Sequence, residues 1–523
     1  MAGNVRKKPG RKSRGRDDGP FLPFSPEDCP LTVPAAGNRN GTDLNNRGSN
    51  GNYWSATLNE NNSNNAYNLN FNDGNHNWNN NNRYNGHSVR PVTELTGTSS
   101  STFSSPEPFR TSPSQLLLDL FRAYKDARKH KRKKPYVLKF DQNLEEELIA
   151  LRDEILSRTY QPRPSSCFII TDPKVREVFA ADFRDRIVHH LYYNYTHVLF
   201  ERTFIADSYS CIKGRGTHWG IKRMEHHIRS VSQNYTRPCY VMKLDIKGYF
   251  MHIHRQRLLQ ICLQTLDSMK SHPSDETGKT WGQKLDYPLL QCLSGVIILN
   301  NPLVDCRKRG AASDWNKLPK SKSLFHSPEG CGLPIGNLTS QLFSNVYMNR
   351  YDQYMKRELK CRSYGRYVDD SYVVSSSKAA LREKVKPIYE FLDKELGLRL
   401  HPDKLVVCNA LHGVGFLGAY LKPYRNYIHN DSLGRIKEGL EKLKNVTDTE
   451  RLRASLDSYL GVMSHYESFR LRRNLFCNQH HLFRYGYFGK GVLTFRCFDP
   501  VLHPLYPNRP IHSKRIFIRI KVF

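Results

Sequence analysis

One stretch of this chain is too rich in a single amide side chain to form a packed core. Residues 59–86 read NENNSNNAYNLNFNDGNHNWNNNNRYNG, and 21 asparagines lie in residues 38–85. Asparagine competes with the backbone for hydrogen bonds, and the stretch has few aliphatic side chains to bury. Serine, threonine and proline continue to about Pro113, and residues 1–16 hold seven Lys or Arg. We therefore expect residues 1–112 to be a basic, low-complexity leader that is disordered or only locally turned.

The chain as a whole is strongly basic. Its 523 residues carry 80 Lys and Arg against 49 Asp and Glu, which gives a formal charge of +31. This excess is larger than solubility requires and predicts a polyanionic partner, with nucleic acid favoured over an anionic membrane surface. The sequence has no apolar run of about 18 residues and no signal-peptide pattern at Met1. We expect a cytoplasmic protein that does not insert into a membrane.

The cysteines do not form a metal-binding pattern. The sequence holds 12 of them, scattered without any C-x-x-C pair. Cys477, His480 and His481 make an isolated cluster that lacks a second pair of ligands, so free thiols in a reducing compartment are favoured over a zinc site.

After the leader, the apolar spacing alternates between helical and strand periods. The segments PSQLLLDLFRAYKDARKHK and NLEEELIALRDEILSR have helical spacing, and Ser112 or Ser114 caps the first of them. The runs CFIIT, CYVMKLDI, RYVDDSYVV, KLVVC and GFLGAYL are strand-like. Past Tyr427 helical spacing returns, and the ending IHSKRIFIRIKVF is basic and strand-prone. The pattern predicts an α+β fold.

Three acidic residues lie at the ends of apolar strands. The segment GRYVDDSYVVS holds Asp369 and Asp370 between Val368 and Tyr372, where burial of two charges is costly unless a cation or a turn relieves it. The segment YVMKLDIKGYF ends its apolar run at Asp245. Taken alone, the adjacent acids are typical of an exposed hairpin turn. Together, the three are the carboxylates that two Mg²⁺ ions about 4 Å apart require for nucleotidyl transfer.

These segments resemble the motifs of reverse transcriptases. LDIKGYF, GLPIGNLTSQLFSN and YVDD follow one another in the order of three palm motifs, and LGLRLHPDKL and VGFLGAYL resemble the motifs near the leaving group and at the primer. DPKVREVFAADFRDRIVHHLYYNY and FIADSYSCIKGRGTH resemble the fingers. The resemblance covers about residues 113–475. It implies a right-hand polymerase with fingers at 113–235, a palm at 236–425, and a thumb with a basic C-terminal segment at 426–523.

The resemblance also implies a reaction and a cofactor. The reaction is RNA-templated addition of dNTPs to a primer 3′ end, so the partners are template RNA and a DNA primer. The implied cofactor is a pair of Mg²⁺ ions, with Mn²⁺ as a substitute. Their implied ligands are Asp245, Asp369, Asp370 and the carbonyl of Ile246. Lys404, in HPDKL, is a candidate general acid for the pyrophosphate, and the alternative is a solvated surface lysine.

A second set of residues is implied to bind the incoming nucleotide. Phe250 resembles the aromatic residue that excludes a ribose 2′-hydroxyl, and its alternative role is palm core. Lys174 and Arg176 fall where the fingers hairpin reaches the triphosphate, although they could instead contact template phosphates. Gly336 would let the backbone approach the nascent base pair. The full implied set is Lys174, Arg176, Phe250, Ile335, Gly336, Gln341 and Asn345.

One departure from most relatives suggests a subfamily. Ile335 stands where most reverse transcriptases carry Gln, and Ser340-Gln341 follows. This combination, with the insert VDCRKRGAASDWNKLPKSKSLFHSPEGCGLPIG, is similar to reverse transcriptases of diversity-generating retroelements. Those elements copy a template repeat with errors at adenines, rewrite part of a target gene, and use a small basic accessory protein. Loss of the amide predicts weaker discrimination by about 1–3 kcal/mol.

The subfamily offers an explanation of the asparagine run. Asparagine codons are AAT and AAC, so a template that varies at adenines translates as Asn-rich protein, and the leader resembles the end of a C-type-lectin-like variable domain. Two rival interpretations of the leader are a flexible RNA-tethering tail and a genuine lectin-like fragment. Rival functions are a retron-like or group II intron-like reverse transcriptase and an inactive RNA-binding scaffold.

Overall fold

A computed structural model describes residues 107–172, 174–275 and 278–498 in full, together with the backbone of strands in the leader. The chain divides into two compact units, Met1–Pro108 and Phe109–Phe523. In the first unit, β1 pairs with β2, and β3, β4 and β5 form an antiparallel sheet in that order. The strands are β1 (Asn38–Asn40), β2 (Asp43–Asn45), β3 (Gly51–Leu58), β4 (Asn65–Asn72) and β5 (Asn75–Asn82).

The strands of the leader differ from the sequence prediction. Residues 1–112 were expected to be disordered or only locally turned, whereas these strands have regular, paired backbones. The sequence of β4, NAYNLNFN, places an apolar residue at every second position from Tyr67 to Phe71. A period of two is the strand pattern, and the high count of asparagines conceals it.

The second unit opens with helices that bury one face. α1 (Pro113–Arg128) begins as predicted, because the Ser112 Oγ accepts a hydrogen bond from the Gln115 N–H at 3.2 Å and a proline follows the cap. The basic run after α1 leads into a short helix that the sequence analysis missed, α2 (Pro135–Gln142), and α3 (Leu144–Leu156) follows. The next helices are α4 (Phe183–Thr203), α5 (Thr217–Val231), α6 (Tyr249–His252), α7 (Arg255–Met269), α8 (Trp281–Lys284), α9 (Tyr287–Leu299), α10 (Ala312–Trp315), α11 (Leu338–Gln353), α12 (Lys378–Glu383) and α13 (Val385–Leu396).

A four-stranded antiparallel sheet lies between two apolar cores. Its strand order is β10-β11-β8-β12. Side chains alternate along β8 and β11: Val241 and Tyr372 join one core, whereas Met242 and Val373 join the other. Burial on both faces explains why these strand sequences are almost continuously apolar. The strands are β8 (Tyr240–Asp245), β10 (Tyr364–Tyr367), β11 (Asp370–Ser375) and β12 (Val406–Asn409).

A smaller sheet joins segments that are far apart in the sequence. β6 (Ser166–Ile170) and β7 (Arg176–Ala180) form a hairpin, and β9 (Arg307–Lys308) adds to β6 in parallel. β9 lies in the insert (residues 304–336). The sequence boundaries assigned this insert to the palm, whereas its backbone pairs with a strand of the predicted fingers.

The C-terminal part of the second unit is mostly helical, as the spacing after Tyr427 predicted. Three helices, α14 (Asn430–Leu443), α15 (Thr449–Ser464) and α16 (Phe469–Cys477), pack on one core with the sheet of β13 (Val414–Phe416), β14 (Ala419–Lys422) and β15 (Arg425–Ile428). The hairpin of β16 (Gly486–Phe488) and β17 (Phe495–Cys497) follows. The predicted strand-prone ending lies outside the described residues.

The described ranges share two features, which concern their helices and their cysteines. None of their helices is both long enough and apolar enough to cross a bilayer. Their cysteines are free thiols, several of them buried in the cores.

Candidate active site

Two of the three predicted acids are held side by side by strand pairing. Asp245 is the last residue of β8, Asp370 is the first residue of β11, and the two are direct cross-strand partners. Such partners project from the same face of a sheet with their Cβ atoms about 5 Å apart. Asp369 precedes Asp370 in the two-residue turn that joins β10 to β11. The sheet therefore brings Asp245 close to two acids that lie more than a hundred residues later in the sequence.

The site carries more negative charge than its surroundings stabilise. Burial raises the pKa of Asp369, and the charge on Asp245 raises it further. Burial likewise raises the pKa of Asp370 to about 6, with contributions from the two neighbouring carboxylates. The positive charges of Lys404 and Arg176 oppose the shift at Asp369. A crowded set of carboxylates of this kind is the donor chemistry that hard divalent cations require.

Lys404 neutralises part of this negative charge. Its Nζ donates a hydrogen bond to the Asp245 Oδ2 at 3.0 Å, and the lysine side chain is 54% exposed. Asp245 is thus turned toward an ammonium group. Within the described ranges, no group of three or more His, Cys, Asp or Glu side chains is arranged to hold a metal ion. The strands align the acids, but the three carboxylates do not converge as a ready-made cation cage.

The backbone next to Asp245 leaves a further oxygen out of the strand pairing. Ile246 forms an isolated antiparallel bridge with Leu400. The hydrogen bonds of this bridge run from the Lys247 N–H to the Arg399 carbonyl and from the His401 N–H to the Asp245 carbonyl. The Ile246 carbonyl, which the sequence analysis predicted as a metal ligand, is used by neither bond.

Phe250 and Ile335 lie in one small apolar cluster. Both are partly buried against a core that includes Phe179 and Leu324. The Phe250 carbonyl accepts a hydrogen bond from the Leu333 N–H at 2.8 Å, which ties the helix after Asp245 to the loop before α11. The side chain predicted to contact the nucleotide sugar therefore packs against the same apolar cluster as the residue that departs from most relatives.

Gly336 is required by a contact other than the predicted one. Its φ is +128°, and a Cβ there would lie 2.5 Å from the Phe179 carbonyl oxygen in β7. The Phe179 N–H also donates a hydrogen bond to the Ile335 carbonyl at 2.7 Å. The sequence analysis attributed the glycine to the approach of a nascent base pair. The structure shows a close approach to the hairpin strand of the smaller sheet, and only glycine fits both the space and the conformation.

The two predicted triphosphate ligands lie on the β6–β7 hairpin. Lys174 lies between the strands, Arg176 is the first residue of β7, and both side chains are exposed. Arg176 is near enough to Asp369 to lower the pKa of that acid. The next residue, Glu177, is buried and accepts hydrogen bonds from the Ser323 hydroxyl at 3.0 Å and the Leu324 N–H at 2.6 Å. Glu177, which the sequence analysis missed, therefore anchors the insert to the hairpin.

The last two predicted nucleotide ligands lie in different environments. Gln341 is exposed in the first turn of α11. Asn345, one turn later, is 1% exposed, and its amide donates from Nδ2 to the Ser210 carbonyl at 2.8 Å. Its Oδ1 accepts hydrogen bonds from the Ser210 hydroxyl and from Arg366. The structure places the Asn345 side chain inside the protein.

Arg366 is a residue of the site that the sequence analysis missed. It is fully buried on β10, three residues before Asp369, and is paired with Asp352. A signal was present in the sequence: GRYVDD places an arginine inside an apolar strand, and a buried arginine requires an acidic partner. The position of that partner in α11 could not be read from the sequence.

Comparison with known proteins agrees with this geometry. Residues 172–421 match the family Reverse transcriptase (RNA-dependent DNA polymerase). This range contains all three acids, strand β7 of the hairpin with Lys174 and Arg176, and the loop before α11. The match supports an RNA-directed DNA polymerase domain, which is a nucleotidyltransferase domain, within these residues.

Individual relatives are distant. The chain is 25% identical over 309 residues to Protein YkfC of Escherichia coli (strain K12), which covers 52% of this chain and 70% of YkfC. A solved telomerase from Candida albicans with a fragment of telomeric RNA is 12% identical, with a TM-score of 0.36, over 62% of this chain and 55% of the telomerase. An apo telomerase from Candida tropicalis is 12% identical, also with a TM-score of 0.36, over 64% and 62% of the two chains. The chain thus spans little more than half the length of these telomerases.

Proposed function

We propose that this chain, through its RNA-directed DNA polymerase domain, adds dNTPs to a primer 3′ end along an RNA template. The observation that carries the proposal is the cross-strand pairing of Asp245 with Asp370, beside the turn that holds Asp369. These three carboxylates, with the Ile246 carbonyl, would hold two Mg²⁺ or Mn²⁺ ions. When bound, such ions activate the primer hydroxyl and neutralise the leaving pyrophosphate.

Lys404 has two successive roles in this proposal. Before substrate binds, its ammonium neutralises Asp245, in agreement with the 3.0 Å pair between them. During the reaction, the lysine Nζ donates a proton to a phosphate oxygen of the leaving pyrophosphate and becomes a neutral amine. Because the side chain is about half exposed, water can return the proton before the next cycle.

The nucleotide is bound between the hairpin and the sheet. Arg176 and Lys174 pair with triphosphate oxygens, and Arg176 is the stronger candidate because its charge already acts on Asp369. Phe250 lies under the sugar and leaves no room for a 2′-hydroxyl, so the substrate is a dNTP. Ile335 and Gln341 flank the position of the new base pair.

Two predicted contacts take different roles in this proposal. Gly336 acts through the hairpin, because its close approach to Phe179 sets the distance between the loop before α11 and the strand that carries Arg176. Asn345 acts from inside the protein, where its amide is bonded to Ser210. Neither residue needs to touch the nucleotide.

A primer-extension assay on purified protein tests the proposal. Asp369→Ala should abolish RNA-templated synthesis while binding of the primer–template survives, because phosphate contacts carry the affinity. Asp403→Ala is a matched control, since its side chain is 86% exposed beside the same lysine. Synthesis by Asp369→Ala at the rate of the control variant would refute the assignment of the site.

The proposal extends to low-fidelity copying of the kind found in diversity-generating retroelements. Ile335 supports it, because an aliphatic side chain in the same apolar cluster as Phe250 offers no hydrogen bond to check the geometry of a base pair. The Asn-rich leader supports it independently, because its codons are rich in adenine. In this proposal the leader is a template repeat translated in frame, and misincorporation opposite adenine diversifies a target gene.

The neighbouring DNA tests this extension without any protein. We expect a near-copy of the segment that encodes residues 38–92, ending in the same codons for SVRPV and differing almost only at adenines. The absence of such a copy would remove the template-repeat proposal and leave the polymerase proposal intact.

The partners in this proposal are a structured template RNA, a DNA primer and a small basic accessory protein. A basic accessory protein is repelled by a chain with a formal charge of +31. Shared RNA phosphates offset that repulsion, so association of the two proteins should depend on RNA and weaken with salt.

A further inference from the structure

The catalytic turn contains a residue in an unfavourable backbone conformation. Tyr367 and Asp370 are paired, so the two-residue loop between β10 and β11 consists of Val368 and Asp369. Val368 has a φ of +56°, in the left-handed region. A β-branched side chain is a true outlier there, and such a conformation persists only where its surroundings impose it.

Buried side chains form hydrogen bonds with both the N–H and the carbonyl of Val368. The Val368 N–H donates a hydrogen bond to the Ser210 Oγ at 3.2 Å. The Val368 carbonyl accepts a hydrogen bond from the Arg366 Nη1 at 2.8 Å. Ser210 is 1% exposed and Arg366 is fully buried, so water does not compete for either bond.

The two side chains that bond Val368, those of Ser210 and Arg366, are both bonded to the side-chain amide of Asn345. The Asn345 Oδ1 accepts hydrogen bonds from the Ser210 hydroxyl at 3.2 Å and from the Arg366 Nη1 at 3.3 Å. The guanidinium of Arg366 is also forked onto Asp352, with Nε–Oδ1 and Nη2–Oδ2 distances of 2.8 Å and 2.7 Å. Both Asn345 and Asp352 lie on α11, so one rigid helix fixes the arginine and the serine together.

We propose that Ser210, Asn345 and Arg366 form a bracket that imposes the left-handed conformation on Val368 and thereby aims Asp369 and Asp370. The bracket residues are positioning residues, and the inference rests on the proposed polymerase function of the acids. Val368 directly precedes Asp369, so rotation of Val368 into the extended region swings the Asp369 side chain and loosens the pairing of Asp370 with Asp245. The energy stored at Val368 is held by the bracket and keeps the acids preset before substrate binds.

A purely stabilising role for the Arg366–Asp352 ion pair predicts a different result. If Arg366 and Asp352 only stabilise the fold, removal of the Ser210 hydroxyl lowers stability without any link to the conformation of Val368. If the bracket imposes that conformation, its loss should matter less when residue 368 adopts positive φ without cost. Glycine does so.

The kinetic test is therefore a double-mutant cycle of Ser210→Ala and Val368→Gly in primer extension. We expect S210A alone to lower kcat about tenfold, with the dissociation constant for primer–template unchanged. In the V368G background, S210A should lower kcat less than twofold. Thr196→Ala is the control, because it removes a buried hydroxyl that bonds a carbonyl of its own helix, α4, and should leave kcat unchanged.

Equal loss of kcat from S210A in both backgrounds would overturn the bracket, as would no loss from S210A alone. Inactivity of the unmodified protein would instead refute the proposed function, which separates the two failures. A crystal structure tests the bracket even if the unmodified protein or V368G is itself inactive. In a crystal structure of S210A, a φ of residue 368 that leaves the positive region, with displaced acids, supports the bracket. An unchanged turn with unmoved acids overturns it.

Discussion

The catalytic turn and the β6–β7 hairpin face the same site but are built in opposite ways. The turn carries acids, and buried side chains bond its backbone on both sides. The hairpin carries cations, and Lys174 and Arg176 are exposed. The difference indicates that the backbone carrying Asp369 and Asp370 is held by buried contacts, whereas the side chains of Lys174 and Arg176 extend into solvent. In the proposed reaction, a fixed turn and exposed cations suit a site that must admit a new nucleotide in every cycle.

The junction between the two regions is the strongest test of this comparison. Gly336→Ala places a methyl group 2.5 Å from the Phe179 carbonyl at a φ of +128°, so the loop before α11 must separate from the hairpin. We expect kcat/KM in primer extension to fall more than about a hundredfold and the melting temperature to fall by several degrees. Gly295→Ala, on α9 with open space around it, is the control: it should leave kcat/KM unchanged and raise the melting temperature slightly, because alanine favours a helix interior. An active, stable G336A would break the link between the regions.

The hairpin cations should affect substrate binding more than the chemical step. Arg176→Ala removes charged hydrogen bonds worth about 1.5–3 kcal/mol each, so we expect the KM for dNTP to rise about 10–100-fold. Exposed Lys139, on α2, provides the control as Lys139→Ala. Steady-state kinetics on a homopolymer template measure the effect. If Arg176→Ala instead weakened template binding with KM for dNTP unchanged, the cation would be a template contact.

Ile335 is expected to affect how accurately the template is copied. Ile335→Gln restores an amide beside Phe250 and should lower misincorporation opposite template adenine by up to about tenfold. Sequencing of cDNA made by the two proteins on one template measures the error spectrum. Ile335→Leu keeps an aliphatic side chain and should leave the spectrum unchanged. The same spectrum in all three proteins would remove Ile335 from the account of fidelity.

The smallest expected effect is on stability, because repulsion among the crowded carboxylates should lower the melting temperature. Asp370→Asn removes one charge from a crowded set of carboxylates, so without divalent cations its melting temperature should exceed that of the unmodified protein by a few degrees. Added Mg²⁺ should raise the melting temperature of the unmodified protein more than that of the variant, because ligand binding stabilises the folded state. A variant less stable than the unmodified protein in EDTA would show that Asp370 stabilises the fold.

The sequence predicted those features of the site that depend on local patterns. Apolar alternation gave the strands that end at Asp245 and begin at Asp370, and the pairing of these acids follows from their positions at the strand ends. The leader strands escaped prediction because composition conceals a period of two. The position of β9 in the hairpin sheet escaped because parallel pairing of distant segments leaves no local signal.

The roles of Gly336 and Asn345 show where sequence reasoning stopped. Both were predicted to act on the nucleotide, but their neighbours in the structure are Phe179 and Ser210, more than a hundred residues earlier. A motif records which residue type is needed and does not record what that residue touches. Arg366 could have been suspected from its place in an apolar strand, whereas its bracket with Ser210 and Asn345 required coordinates.

Anomalous diffraction from Mn²⁺ can locate the metal ions relative to the three acids. Crystals of the protein with primer–template, Mn²⁺ and a non-hydrolysable dNTP analogue should show two anomalous peaks about 4 Å apart. We expect Asp245, Asp369 and Asp370 to coordinate them, with the Lys404 ammonium no longer paired to Asp245. Manganese bound elsewhere, with Asp245 still on Lys404 and out of reach of both ions, would contradict the account.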